Sequence, residues 1–227
     1  MQLEKIRIVG DKLPMKRILK EQIWSEFIDL MDVNPPQSEE VFHQFMVKYP
    51  ALIPVWRPLD GVVYSKFKLG TEHVTDFAFV RDDTQGLRWT FIEIEKPSDR
   101  LFRKDRSPTA TLTHALGQLH QWTEWFQNNL DYVKNNWPHG TRARKIGMAT
   151  PHLILIMGRR EKDWWDQRTL LQRFGGGVEV RTFDGLEHNL GSPAVDDDAT
   201  LKCLSYSSSG WDKELSSMKL EISFYST

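Results

Sequence analysis

Residues 90–97, Thr-Phe-Ile-Glu-Ile-Glu-Lys-Pro, constrain the fold more than any other stretch, because they have the pattern of an apolar strand that ends in charge. With the two-residue period of a strand, Glu93 and Glu95 lie on one face and Lys96 lies on the other. Both faces are apolar before the charges begin, which is typical of a central strand covered on both sides. Because an unpaired buried charge is costly, we expect a metal ion, a base or a cationic partner at the end of this strand.

The composition is that of a globular chain, since 227 residues with 40% hydrophobic content allow one sizeable core. The 30 basic and 31 acidic residues leave a net charge of −1, so any phosphate-binding surface must be a local patch. A single cysteine, Cys203, excludes an internal disulfide and fits a reducing cytosol. No apolar stretch has the length of a signal peptide or a membrane span, so we expect a soluble cytoplasmic protein without a membrane partner.

Hydrophobic periodicity predicts an α/β fold with a mixed β-sheet flanked by helices. The predicted order is two helices, a meander of three strands, a crossover helix, a strand, a helix and a strand. These elements fall at residues 15–32, 39–49, 62–68, 73–80, 88–96, 111–130, 152–157, 164–174 and 178–183. We divide the chain into an N-terminal helical extension (1–36), a main domain (37–190) and a polar C-terminal tail (191–227), where alternation over 218–224 is compatible with an edge strand.

Asp76 is a lone acid in the apolar strand at 73–80, which a turn at 82–86 joins to the strand described first. The short connection predicts an antiparallel hairpin, in which Asp76 can face Glu93 and Glu95. Three convergent carboxylates form a hard oxygen site that suits Mg²⁺ or Mn²⁺. Such a site can hold a phosphodiester oxygen and activate water, so these three acids are the predicted metal ligands.

Other polar residues near these acids allow more than one interpretation. The loop at 97–109 either contacts phosphates or lies in solvent, and its cations are Arg100, Arg103, Lys104 and Arg106. Gln118 lies at the edge of the apolar stripe of the crossover helix, from which it could reach the end of the sheet or face water. A glycosidase pair of carboxylates is not excluded, although it leaves the basic loop without a role.

Five separated motifs occur in order along the chain. They are Asp-Phe-Ala-Phe at 76–79, Phe-Ile-Glu-Ile-Glu-Lys-Pro at 91–97, His-Ala-Leu-Gly-Gln-Leu at 114–119, Ile-Leu-Ile-Met-Gly-Arg at 154–159 and Thr-Phe-Asp-Gly-Leu at 182–186. This series, over roughly 37–186, resembles the Shedu-like (DUF4263) branch of the PD-(D/E)xK nucleases. The resemblance implies a restriction-endonuclease-like sheet with an αβββαβ core, which agrees with the predicted order. It also implies an Mg²⁺- or Mn²⁺-dependent nuclease that hydrolyses DNA phosphodiester bonds in prokaryotic antiphage defence, with RNA not excluded as a substrate.

The resemblance also assigns roles to single residues. Asp76 matches the metal-binding aspartate, Glu93 matches the acid of the (D/E)xK motif, and Gln118 matches a helix glutamine that lines the site. A glutamate of the first family helix is matched by Glu39 or by Glu40, which the sequence does not distinguish. Without the resemblance, both glutamates would simply complement the dipole of the helix in whose first turn they lie.

Glu95 departs from the motif, because it occupies the position of the motif lysine and Lys96 follows one residue late. Lysine there would orient the attacking water and stabilise developing negative charge. Glu95 could instead accept a proton or bind a second ion, and Lys96 could replace the lysine only if a β-bulge turned it inward. Three interpretations stay open: a working nuclease, a catalytically inactive nucleic-acid-binding or assembly module, and a homo-oligomer formed through exposed aromatic residues such as Trp164 or Trp211.

Overall fold

The computed structural model describes residues 12–84, 86–138, 148–162, 164–191, 200–207 and 210–219. The helices are α1 (Lys12–Met31), α2 (Glu39–Lys48), α3 (Ala110–Asn128), α4 (Leu130–Asn136) and α5 (Trp164–Phe174). The strands are β1 (Val62–Leu69), β2 (His73–Asp83), β3 (Gly86–Ile94), β4 (Met148–Ile156), β5 (Glu179–Arg181), β6 (Thr200–Ser207) and β7 (Gly210–Lys219). Short 3₁₀ segments lie at Pro50–Leu52, Leu59–Gly61 and Phe183–Gly191. The predicted order of helices and strands is confirmed as far as β5, with α4, β6 and β7 in addition.

All the described strands belong to one mixed sheet, in the order β5-β4-β3-β2-β1-β6-β7. β1, β2 and β3 form an antiparallel meander, and β4 pairs parallel with β3 after the chain has crossed over through α3. This is the restriction-endonuclease-like α/β architecture that the sequence predicts. The acid-ended strand β3 lies inside the sheet, between β2 and β4, so its charged end is surrounded by other elements.

Apolar side chains cover both faces of this sheet. On one face, α3 buries Leu119 and Trp122 against Phe91 of β3. On the other face, α1 and α2 pack on the sheet, and Phe42 of α2 lies in the same cluster as Phe77 of β2. Full burial of one such side chain stabilises a fold by about 1.5–3 kcal/mol, so both helical layers are held firmly on the sheet. The end of β3 therefore emerges between two fixed layers.

The two terminal regions also contribute to this packing. Ile23 and Phe27 of α1 are buried in the cluster that contains Phe42. β6 pairs parallel with β1, and β7 pairs antiparallel with β6 at the edge of the described sheet. Residues 220–224 of the predicted edge strand lie outside the described residues, and the domain boundaries at 36 and 190 stay predictions. None of the described helices combines the length and the apolarity needed to cross a bilayer.

The aromatic content serves the core to a large extent. Trp89, Trp122 and Phe91 are almost fully buried, whereas Trp56 is 60% exposed. The side chains of Trp164 and Trp211, named above as candidates for an oligomer surface, lie outside the described part of the chain. Homo-oligomerisation through exposed aromatic residues therefore stays a prediction.

Candidate functional site

Two carboxylates lie level with each other near the carboxyl end of β3. The antiparallel register pairs Ala78 with Phe91 and Phe77 with Ile92, so the next step along both strands brings Asp76 opposite Glu93. The side chain of Asp76 is only 13% exposed. Its Oδ2 accepts a hydrogen bond of 2.8 Å from the backbone N–H of Ile94. The hairpin inferred from the turn at 82–86 thus brings the two predicted acids together.

Helix α3 supplies a polar partner for Glu93. Gln118 Nε2 donates a hydrogen bond of 2.8 Å to Glu93 Oε1. The helix is capped by Thr109, whose hydroxyl accepts a hydrogen bond of 3.2 Å from the backbone N–H of Leu112. Leu119, next to Gln118, is fully buried and fixes this part of the helix against the sheet. Of the two orientations considered for Gln118, the structure has the one that reaches the end of the sheet.

Lys66 on β1 contacts Asp76 from the side of β2 opposite to β3. Its Nζ lies 2.6 Å from Asp76 Oδ1. Its backbone has a φ of 47°, in the left-handed region that lysine rarely adopts. The strict alternation of the strand fails at this residue, since Tyr64 and Phe67 are three positions apart and both belong to the α3-side cluster. Sequence reasoning missed Lys66, and the weak alternation over residues 62–68 is the one signal that pointed to it.

Helix α2 holds a second acid against Lys66. Glu40 Oε1 accepts a hydrogen bond of 2.7 Å from Gln44 Nε2, and Glu40 Oε2 lies 3.4 Å from Lys66 Nζ. The neighbouring His43 is 2% exposed, and its Nε2 lies 3.1 Å from the hydroxyl of Ser65. Lys66 is therefore bracketed by two carboxylates, one on the adjacent strand and one on α2.

Glu93 and Glu95 have pKa values above those of ordinary glutamates. Burial raises the pKa of Glu93 well above its usual range, and the charges of Asp76 and Glu95 raise it further. Burial also raises the pKa of Glu95 to about 7, with contributions from the charges of Glu39 and Asp99. Carboxylates crowded in a partly buried place in this way are typical of functional sites, because a bound cation relieves their repulsion.

Lys96, the candidate one residue after the motif position, lies beyond the end of β3 and is exposed. Its carbonyl oxygen accepts hydrogen bonds from the backbone N–H groups of Asp99 and Gly158, at 3.1 and 3.2 Å. The register shift between β3 and β4 lies at Arg88 and Thr90, near the opposite end of the strand. In the part of β3 that the structure describes, no bulge turns Lys96 toward Glu93.

The basic loop at 97–109 packs toward α5. Arg106 Nη2 lies 3.2 Å from Asp166 Oδ2 of that helix, and Arg100 Nε lies 3.4 Å from Glu161 Oε1. Two further cations of the loop have exposed side chains, namely Arg103 and Lys104. The loop follows the acidic end of β3 in the chain, and its contact with nucleic acid stays a prediction.

A groove of about 500 Å³ lies beside Gln118, between α3 and the start of β2. Its lining is mostly polar and consists of Glu72, His73, Val74, Thr113, His114, Gly117, Gln118 and Gln121. Gly117 lies inside α3, where a Cβ atom would meet nothing within 4 Å. The groove therefore leaves the helix backbone accessible one residue away from the partner of Glu93.

Asp76 and Glu93 are the donors best placed to hold a divalent cation. Mg²⁺ is usually bound through one or two carboxylates, with water and substrate phosphate completing its shell. Among the residues that the structure describes, no three or more acids, histidines or cysteines are arranged as a metal centre. A two-carboxylate site fits the expected Mg²⁺ or Mn²⁺, and Glu95 as a third ligand stays a prediction.

The middle of the chain matches a known family. The family model described as Shedu protein SduA, C-terminal, matches residues 36–186, about two-thirds of the chain. The chain belongs to the Shedu SduA C-terminal family. Shedu membership implies a role in antiphage defence. A search of curated proteins finds no match.

The Shedu match spans the site from α2 to the 3₁₀ segment Phe183–Gly191. Glu39 and Glu40, the two candidates for the family glutamate, have different surroundings: the charge of Glu39 acts on both motif glutamates, whereas Glu40 lies against Lys66. Which of them has the family role stays a prediction.

Proposed function

We propose that this Shedu-family chain is a metal-dependent nuclease of the PD-(D/E)xK type that hydrolyses phosphodiester bonds of DNA in antiphage defence. The observation that carries the proposal is the carboxylate of Glu93, which is level with Asp76 and receives a hydrogen bond from Gln118 at 2.8 Å. Two acids held together near the end of an interior strand are costly unless a cation offsets their charge. A divalent cation with a phosphodiester is a chemical partner that suits this arrangement.

The residues divide the chemistry between them in this proposal. Asp76 and Glu93 hold Mg²⁺ or Mn²⁺, which when bound polarises the phosphoryl oxygens as a Lewis acid. Glu95 accepts a proton from the attacking water, whose oxygen forms a bond to phosphorus while the bond to the leaving oxygen breaks. The leaving oxygen takes a proton from solvent. Gln118 keeps the Glu93 carboxylate in position.

The test is cleavage of plasmid and linear DNA by the purified chain with Mg²⁺ or Mn²⁺. Glu93→Ala should abolish cleavage while the circular dichroism spectrum stays that of the wild type. Glu124→Ala, at an exposed position of the same helix as Gln118, is the matched control and should cleave normally. A wild-type protein that cuts neither DNA nor RNA with either ion would overturn the proposal, and cutting of RNA alone would change the substrate.

Metal binding can be measured separately from cleavage. Mn²⁺ should raise the melting temperature by mass action. A free Mn²⁺ concentration of 100 times Kd increases the free energy of unfolding by roughly 2.7 kcal/mol. Asp76→Asn should remove this rise, whereas Asp131→Asn, at an exposed position on α4, should preserve it. An equal rise in both variants would show that the ion binds elsewhere.

One observation favours a second function, a catalytically inactive nucleic-acid-binding module. The ammonium of Lys66 already lies 2.6 Å from Asp76 Oδ1, so this acid has a cationic partner within the chain. Such a module would bind DNA with a steep dependence on salt, and Glu93→Ala would leave its affinity for DNA unchanged. Its melting temperature would not respond to Mn²⁺. The cleavage and metal experiments above therefore separate the two functions.

A further inference from the structure

The backbone of Lys66 is the starting point, because it is held in a conformation that costs energy for lysine. Its φ of 47° lies in the left-handed region, which glycine adopts readily and in which other residues are strained. Strain of this kind persists where the surrounding structure imposes it, and it is concentrated at functional sites. The strained backbone therefore makes the side chain of Lys66 a candidate for a functional role.

The contacts of the side chain place its ammonium within the acid cluster. Nζ lies 2.6 Å from Asp76 Oδ1 and 3.4 Å from Glu40 Oε2, while Gln44 holds the other oxygen of Glu40. The Lys66 side chain is still 43% exposed, although Asp76 is 13% exposed. An ammonium has three N–H donors, so Lys66 can contact these acids and still donate to a group that approaches from solvent.

The need for such a cation follows from position 95. There the motif residue is Glu95 instead of lysine, and Lys96 lies beyond the strand with an exposed side chain. With Glu95 at the motif position, stabilisation of the negative charge that develops on the phosphate must come from another cation of the chain. Lys66 belongs to a different strand, yet its charge acts on Glu93 as well as on Asp76.

We propose that Lys66 supplies to this site the positive charge that a lysine at the motif position would supply. Its ammonium donates hydrogen bonds to a non-bridging oxygen of the scissile phosphodiester and so stabilises the charge that develops there, in place of a lysine at position 95. Lys66 stays protonated throughout, and no proton passes to or from it. This inference rests on the proposed nuclease function and adds the residue that the motif lacks.

Lys66→Gly is the central variant, because glycine removes the ammonium and at the same time relieves the left-handed backbone. Lys66→Met and Lys66→Arg complete the series, and Lys68→Met is the matched control at an exposed position of the same strand. Each protein is assayed for plasmid cleavage with Mn²⁺, for its melting temperature, and for the rise in melting temperature that Mn²⁺ causes.

We expect Lys66→Gly and Lys66→Met to lose cleavage by about 10²–10³-fold, the usual loss when one stabilising donor is removed. The rise caused by Mn²⁺ should persist or increase, since the ammonium no longer competes for Asp76. Lys66→Arg should retain more cleavage than either variant, and Lys68→Met should match the wild type.

Two results would overturn the role of Lys66 while the nuclease function stands. One is a wild type that cleaves and a folded Lys66→Gly that cleaves within threefold of it. The other is a parallel loss of cleavage and of the Mn²⁺ response, because Lys66 would then only hold Asp76 in place. A wild type that cleaves nothing overturns the proposed function itself, and with it the role of Lys66.

Discussion

Gln118 in α3 and Glu93 in β3 are joined by a hydrogen bond of 2.8 Å across 25 positions of sequence. The bond connects the helical layer to the acidic end of the sheet. A donor to a carboxylate favours its charged form, so Gln118 acts against the burial and the neighbouring charges that raise the pKa of Glu93. The amide therefore stabilises the form of Glu93 that a cation would bind.

Replacement of Gln118 should change how cleavage depends on pH. Gln118→Leu removes the donor, so the pKa of Glu93 should rise further and the acid limb of the pH–rate profile should move to higher pH. A hydrogen bond to a charged group contributes about 1.5–3 kcal/mol, which corresponds to a loss of about 10–100-fold near neutral pH. Gln127→Leu, exposed on the same helix, is the control. A reduced rate with an unmoved profile would contradict this explanation.

Glu95 should make the metal-free protein less stable as pH rises. Its pKa is about 7 in the folded chain against 4.5 for an ordinary glutamate, so between these values the folded state keeps a proton that the unfolded chain releases. The free energy of unfolding must then fall as pH rises from about 4.5 to about 7. Glu95→Gln should remove on the order of 1–2 kcal/mol of this fall, after allowance for solvent.

Thermal melts at pH 5 and pH 8, without divalent ions, measure this effect. From pH 5 to pH 8, the melting temperature of Glu95→Gln should fall less than that of the wild type. Glu124→Gln, which changes an exposed glutamate of α3, should behave as the wild type. An identical fall in all three proteins would show that Glu95 is not the group responsible.

Gly117 offers a test of the groove beside Gln118. Gly117→Ala should stabilise the fold by up to about 1 kcal/mol, because alanine is a better helix former and its Cβ meets nothing within 4 Å. Gly117→Tyr should fold as well but fill the groove, and cleavage should fall at least tenfold if nucleic acid lies there. Glu124→Tyr places the same ring about 10 Å further along α3 and should leave cleavage unchanged. Full activity of Gly117→Tyr would exclude the groove as a path for the substrate.

The basic loop can be tested through the dependence of DNA binding on salt, with the Glu93→Ala protein so that DNA is not cut. Removal of a phosphate contact lowers the slope of log K against log salt by about 1. We expect this from Arg103→Ala and from Lys104→Ala, and a smaller effect from Arg100→Ala, because Glu161 already pairs with Arg100. Lys20→Ala, exposed on α1, is the control. Equal slopes in all variants would place the phosphate contacts elsewhere.

The sequence alone determined the order of the elements as far as β5, apart from α4, and the hairpin that brings Asp76 level with Glu93. Both depend on local signals: the two-residue and 3.6-residue periods of apolar side chains, and a short turn that allows only an antiparallel pair. The motif series also indicated the Shedu family, which the match over residues 36–186 confirms. The presence of Glu95 in place of the motif lysine was also visible in the sequence, because position 95 lies inside a contiguous motif.

Only the tertiary structure decided which cation accompanies these acids. Lys66 lies ten positions before Asp76, on a strand with weak alternation, and its backbone is in a left-handed conformation that no local pattern predicts. The tertiary structure also decided the orientation of Gln118, the parallel pairing of β6 with β1 and the raised pKa of Glu95. Each depends on the packing of elements distant in sequence, and it is this packing that sets burial, register and the distance between charges.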